Sequence, residues 1–331
     1  MKSSTALKRT VLLTGGGGPA IPGMIDTLKR LGFRVVVVDM MDFAAGYFFS
    51  DASYVVPAGS ASNFFESIKN ICFLENVDAI VSVVDEELLC MSNFEDIGIT
   101  VVQPQKRFIR LALDKYHCMK TLQENGIRVP ETWLLKDIPQ DVDFPIFIKP
   151  RVGRGSRGCF QAQSFKELKD QCERSSYSSD ELLAQRCIIG TEYTVSVVVW
   201  RDGVVKAVVP KEIISKVGVT RAAVTRKNIR IDEICRAIQS KLKANGPFNV
   251  QLIIDESGAP WVFEINPRFS TSTTLTAAAG VNELGNLLSL ALFENTEPCW
   301  EWKAGVVLLR KSTDIFMSER DFTSVSIHKE Y

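Results

Sequence analysis

Residues 248–268, FNVQLIIDESGAPWVFEINPR, place a carboxylate, side-chain amides and an arginine where one hairpin can gather them. Residues 250–254 are strand formers, 255–258 carry turn residues and 261–265 form a second run, which together predict a β-hairpin. Side chains alternate across a strand, so Glu264, Asn266 and, if the backbone stays extended through Pro267, Arg268 fall on one face. Trp261, Phe263 and Ile265 take the other. Pairing Ile254 with Ala259 sets Gln251 opposite Val262 and diagonal to Glu264, about 7–8 Å away and within reach of one ion. Carboxylate and amide oxygens suit Mg²⁺, which keeps waters and takes one or two carboxylates plus phosphates. Gln251, Glu264 and Asn266 are therefore candidate metal ligands, and Arg268 a candidate holder of a phosphate oxygen. A solvent-facing edge hairpin carrying the same side chains explains the pattern equally well.

The rest of the composition narrows the chemistry. A chain of 331 residues with 46% apolar content can bury two or three modest domains. Lys plus Arg equals Asp plus Glu at 39 each, so no basic field recruits nucleic acid or an anionic membrane, and small molecules are the expected partners. The eight cysteines include no CxxC pair, which fits buried thiols in a reducing cytoplasm rather than a zinc site or disulfide framework. His117 and His328 are the only histidines, so a multi-histidine metal site is excluded and a histidine triad has little to work with. No apolar run approaches membrane-spanning length and residues 1–10 lack an apolar signal core, so a cytoplasmic protein is expected.

Taken in order, residues 11–39 read as strand, glycine turn, helix and strand. Gly15, Gly17 and Ala20, followed by Asp39, satisfy a loose dinucleotide fingerprint, which generates a rival reading as a nicotinamide- or flavin-binding protein. Asp85, Glu86 and Glu87 follow a buried strand and either hold a cationic substrate or open the next helix. Residues 106–125 read as one helical stretch carrying Asp114 and Lys115. The strand FPIFIK ends in Lys149 and runs into residues 151–158, RVGRGSRG, a cationic glycine-rich flap rich in backbone donors. It is not a Walker A loop, since no GK[ST] opens a helix. Residues 181–200 give a strand, a short hinge and a long strand, and 211–230 form a cation-rich segment containing Lys211, Lys216 and Arg221. By its residues alone that segment reads as a solvated loop.

Gln251 followed by FEINPR, and then STSTTLTAAAG at 270–280, resemble the metal-binding strands of the ATP-grasp superfamily, in particular its carbamoyl phosphate synthase large-subunit branch. The segment LDKYHCMKTLQENGIRVPETW, and FIKP before a basic glycine loop, resemble the same proteins in the same order. The resemblance covers nearly the whole chain and implies an α/β ATP-grasp fold. Its parts would be a Rossmann-like pre-domain (1–112), a small lobe with the flap (113–190) and a large lobe with the metal site (191–331). It implies ATP with Mg²⁺, or Mn²⁺ in its place. Lys115 would bind a nucleotide phosphate, Lys149 would reach between adenine and the α-phosphate, and Arg154, Gly155 and Ser156 would close over the triphosphate. Cys187 and Ile188 would hydrogen-bond adenine, Glu192 would hold the ribose hydroxyls, and Arg268, Lys149 and Asn266 would stabilise the reacting charge. Gln185 and Arg186 depart from the family, which has an acid there. The implied activity is an ATP-dependent carboxylate–amine (or thiol) ligase acting through an acyl phosphate. Phosphorylation of carboxylate or carbamate, and ATP binding without turnover in a regulatory protein, stay open, as does a homodimer.

Overall fold

A computed structural model describes residues 8–293, 296–311, 314–320 and 322; His328 lies outside them. The chain divides into two compact units, one running through Gln103 and regaining Arg268–Trp302 and the residues from Lys311 on, the other made of Pro104–Pro267 and Lys303–Arg310. The first unit's opening segment ends at Gln103, and the segment Arg268–Trp302 clusters with it. Among the described residues no helix is long and apolar enough to cross a membrane.

The first unit holds β1 (Thr10–Thr14), α1 (Ile21–Arg30), β2 (Arg34–Asp39), β3 (Ala52–Val55), α2 (Phe64–Leu74), β4 (Ala79–Val81), α3 (Leu88–Met91) and β5 (Thr100–Val101). Its strands form a parallel sheet in the order β3-β2-β1-β4-β5. Leu12, Leu13, Val36, Val37, Ile80 and Val81 are fully buried, which is why these strands read as unbroken apolar runs instead of alternating ones.

The second unit opens with α4 (Lys106–Leu113) and α5 (Lys115–Glu124), two helices where the sequence predicts one. Asp114 breaks the run: its backbone is extended and its carboxylate caps α5 by accepting from the His117 amide. There follow β6 (Thr132–Leu134), β7 (Ile146–Pro150), β8 (Phe160–Ala162), α6 (Phe165–Glu173), β9 (Leu182–Arg186), β10 (Gly190–Val199), β11 (Val205–Val217), β12 (Val219–Thr225), α7 (Ile229–Leu242), β13 (Phe248–Asp255) and β14 (Pro260–Asn266). After α8 (Thr273–Ala279) and α9 (Glu283–Leu292) in the first unit, β15 (Val307–Leu309) returns to the second. The second unit thus contains a four-stranded sheet, β6-β9-β7-β8, and a six-stranded one, β14-β13-β10-β11-β12-β15.

One face of the six-stranded sheet is apolar. Val195, Val197, Val250, Leu252, Val262 and Ile265 pack with Phe108, Met119, Leu122, Ile231 and Ile238 from α4, α5 and α7. The other face carries a polar row of register partners running Glu264, Gln251, Thr194, Lys211, Thr225. The 211–230 segment is mostly strand, since β11 extends to Val217 and β12 to Thr225.

The hairpin of β13 and β14 is closed by Asp255, whose carboxylate accepts from Ser257 Oγ at 2.6 Å, Trp261 Nε1 at 2.7 Å and the Ala259 amide at 2.9 Å. These bonds hold its pKa well below the usual carboxylate range. A depressed folded-state pKa contributes stability that is present above the unfolded value of about 3.9 and lost as pH falls below it. Asp255→Asn should therefore melt below the parent at pH 7, and the gap, read by circular dichroism, should narrow as the pH drops below about 4.

Candidate active site

The hairpin presents its polar side chains differently from strict alternation. Ile254 pairs with Pro260, not Ala259, and the register shifts between Gln251 and Leu252, so that Gln251 faces Glu264 directly while Leu252 faces Val262. Phe263 is the extra residue of this β-bulge, and a bulge reverses the alternation beyond it. Val262 and Ile265 thus both enter the core, at 0% and 3% exposure, while Phe263 and Glu264 both lie beside Lys149. The expected grouping of Phe263 with Ile265 is corrected accordingly. Directly opposed strand residues stand about 4.5–5.5 Å apart, so Gln251 and Glu264 suit one ion better than the predicted diagonal would.

The next register pair is Asn249 and Asn266, both buried. Asn249 Oδ1 accepts from Thr194 Oγ1 at 2.7 Å, which fixes that amide's orientation. Among the described residues no group of three His, Cys, Asp or Glu could hold a metal alone. Gln251, Glu264 and Asn266 nevertheless form an all-oxygen set with a single carboxylate, which fits Mg²⁺ when phosphate oxygens complete its shell. Arg268 lies past the end of β14 in the first unit, where its Nε donates to Asp85 and its Nη1 to the Phe269 carbonyl.

Lys149, next to last in β7, is 2% exposed. Its ammonium donates to the Phe263 carbonyl at 2.9 Å, lies 4.0 Å from Glu264 Oε2 and sits 5.5 Å from the Phe263 ring centre. Burial pushes its pKa down to about 8, against the upward pull of Glu264 and with the help of nearby Lys115. Lys115, also buried, donates to the Gly153 carbonyl of the flap. The flap base is fixed by Arg151, which grips both oxygens of Asp114 at 2.7–3.0 Å. Beyond it Gly153, Gly155, Ser156 and Gly158 all have positive φ, a conformation that suits a glycine-rich loop turning its amides in succession.

Cys187 and Ile188 form the link between β9 and β10. Gln185 is buried with its amide donating to Thr132 Oγ1 at 3.0 Å, and Arg186 pairs with Glu131 and Asp143 at 3.0 and 3.5 Å, so the departure from an acid is absorbed by neighbours on the small sheet's side. Glu192 Oε1 meets Lys216 Nζ at 2.6 Å. Lys211 is fully buried in β11, with Nζ donating to Ser196 Oγ at 2.7 Å. Sequence reasoning left Lys211 and Lys216 in a solvated loop. The signal that could have placed the polar row is the alternation of Thr194 and Ser196 with Val195 and Val197.

In the first unit, the glycine turn spends its amides internally. Gly16 donates to the Val38 carbonyl, Gly18 to the Gly15 carbonyl and Gly17 to Asp39 Oδ2 at 2.8 Å. Asp39, the acid a dinucleotide ribose would need, caps this turn, which counts against the rival reading. At the carboxyl ends of β1 and β4, Thr14 donates to Ser82 and Ser82 to Glu87 Oε2, while Asp85 holds Arg268.

Residues 112–272 match the model of the ATP-grasp domain, and residues 11–102 that of the PylC-like N-terminal domain. The chain is 24% identical over 299 residues to formate-dependent phosphoribosylglycinamide formyltransferase of Sulfurisphaera tokodaii, covering 82% of this chain and 73% of that one. It is 23% identical over 287 residues to carbamoyl-phosphate synthase of Methanobrevibacter smithii, covering 80% and 76%. Among solved structures, N5-carboxyaminoimidazole synthetase of Staphylococcus aureus complexed with ADP superposes with a TM-score of 0.72 at 17% identity, over 88% of this chain and 80% of that one, and shares the fold.

The depressed Lys149 pKa carries a stability consequence. An unfolded lysine titrates near 10.4, so between about 8 and 10 the unfolded chain binds more protons and the parent gains stability as pH rises. Lys149→Met keeps the side-chain length without the buried charge. It should melt above the parent at pH 7, with the difference closing as pH rises from about 8 towards 10, while losing affinity for Mg·ADP in calorimetry.

Proposed function

We propose that this ATP-grasp protein is an ADP-forming ligase that activates a small carboxylate with Mg·ATP and joins it to an amine. The observation that carries the reading is Glu264 set directly opposite Gln251, with the buried Lys149 ammonium 4.0 Å from Glu264 Oε2. A hard-cation oxygen set on the six-stranded sheet and a phosphate-seeking cation from the four-stranded sheet thus meet at one place. Likeness to a formate-dependent formyltransferase, whose name specifies a carboxylate, supports the substrate class.

A carboxylate oxygen of the substrate attacks the γ-phosphorus, the bond to the β-phosphate oxygen breaks and ADP leaves. The amine nitrogen then attacks the acyl carbon, inorganic phosphate departs and the nitrogen gives up a proton. Mg²⁺, held by Gln251, Glu264 and Asn266, would supply Lewis-acid stabilisation to the transferring phosphoryl group. Lys149 and Lys115 offset charge on the nucleotide, and the amides of Arg154, Gly155 and Ser156 close over its phosphates. Cys187 and Ile188 hold adenine, and Glu192 holds the ribose. No protein nucleophile is required, in keeping with a chain whose only histidines are His117 and His328.

Phosphate release from Mg·ATP, measured against pooled amino acids, small carboxylic acids and bicarbonate, tests this. Release is expected to need a carboxylate together with an amine, and to fall by about a hundredfold or more in Glu264→Ala. Release with bicarbonate and ammonia alone would favour carbamoyl phosphate formation. A parent no faster than the variant in every pool would sink the ligase reading.

A further inference from the structure

The pair formed by Glu192 and Lys216 depends on an irregularity in β11. Glu192 shares its face with Thr194, whose register partner is Lys211, so the site face of β11 contains Lys211, Ile213 and, by strict alternation, Ser215. Lys216 would then point to the opposite side. Instead Ile213 pairs with Ala223 and the next register pair is Ser215 with Ala222, leaving Ile214 as an extra residue. The inserted residue reverses the alternation, and the Lys216 ammonium reaches Glu192 Oε1 at 2.6 Å. A second irregularity, at Arg221 of β12, restores the pairing of the two strands.

Stability alone is a poor reason for this distortion. Both side chains are about a third exposed, at 30% and 31%, and pairs of that kind contribute about 0–1 kcal/mol. Location is more telling. Lys216 acts on the Cys159 thiol together with Lys149, Glu264 and Lys115, so its charge lies on the side of the nucleotide cations. An ionised glutamate only accepts hydrogen bonds, through two oxygens. With Oε1 occupied by Lys216, Oε2 remains for a ligand hydroxyl, and the long side chain is held in one orientation.

We propose that Lys216 is a positioning residue that fixes Glu192 for the ribose diol and thereby sets discrimination between ribo- and 2′-deoxyribonucleotides. The inference rests on the nucleotide-site reading given above and extends it to a residue on the neighbouring strand. A nucleotide lacking the 2′-hydroxyl leaves the held carboxylate short of a donor, a loss typical of a charged hydrogen bond and equivalent to about tenfold or more in affinity.

Calorimetric titration with Mg·ADP and Mg·2′-deoxyADP tests this without turnover. The parent should favour ADP by about tenfold. In Lys216→Met the ratio should shrink to within about threefold, mainly through weaker ADP binding, and Lys216→Arg should restore it. Glu192→Gln should also lose the preference. A Lys216→Met protein that keeps the parent ratio, or that weakens both nucleotides equally, overturns the positioning role. A parent that binds both equally removes Glu192 from the ribose and the inference with it. A parent that binds neither overturns the nucleotide-site reading itself.

Discussion

A lysine ammonium held almost wholly out of water is the constraint around which the second unit is arranged. Transferring such a charge into a protein interior is unfavourable unless hydrogen bonds and an opposite charge meet it. Lys149 belongs to β7 of the four-stranded sheet, whereas the Phe263 carbonyl and Glu264 that receive it belong to β14 of the six-stranded sheet. Satisfying one side chain therefore ties the two sheets together beside the candidate ligands Gln251 and Glu264. The match is incomplete, since burial still outweighs Glu264 and leaves the pKa at about 8. A cation short of negative partners is one that a polyphosphate can complete, so the residual electrostatic imbalance points toward ligand binding rather than toward stability.

The six-stranded sheet separates these duties by face. Its apolar side supplies the core against α4, α5 and α7, so the polar side need contribute little to stability and can concentrate ionisable groups. The bulges refine that division. One at Phe263 brings Glu264 directly opposite Gln251 while returning Ile265 to the core; another at Ile214 turns Lys216 towards Glu192. In both places an added residue re-aims a charged side chain that period-two alternation would have misdirected.

Much of this was legible in the sequence. The parallel strands around Val36 and Ile80, the hairpin around Asp255, and the candidate ligands Gln251, Glu264 and Asn266 follow from apolar runs, turn residues and side-chain type. The bulges were not, because a register shift depends on which partner strand wins the pairing, and no local propensity encodes that. Asp114 was legible as a residue but not as a helix break, since its role comes from capping His117 and from the distant Arg151. The long strand through Lys211 was obscured by its charges. A lysine reads as surface until the sheet neighbours that bury it, Ser196 and Thr194, are placed beside it.

The flap shows how binding and release can be reconciled with so fixed a site. Arg151 is immobilised by Asp114 and by the Glu181 carbonyl, which accepts from its amide at 2.7 Å, so the loop is anchored at its base. Past that anchor an added Cβ at Gly155 would meet nothing within 4 Å, and the turn there is shaped by backbone conformation rather than by packing. Lys115 bridges the two regimes: its backbone amide donates to the Arg151 carbonyl, while its ammonium donates to the carbonyl of Gly153. A phosphate oxygen is a stronger acceptor for an ammonium than a neutral carbonyl. On the proposed reading, arrival of an anionic nucleotide would draw Lys115 away from Gly153, coupling occupancy of the site to freedom of the flap.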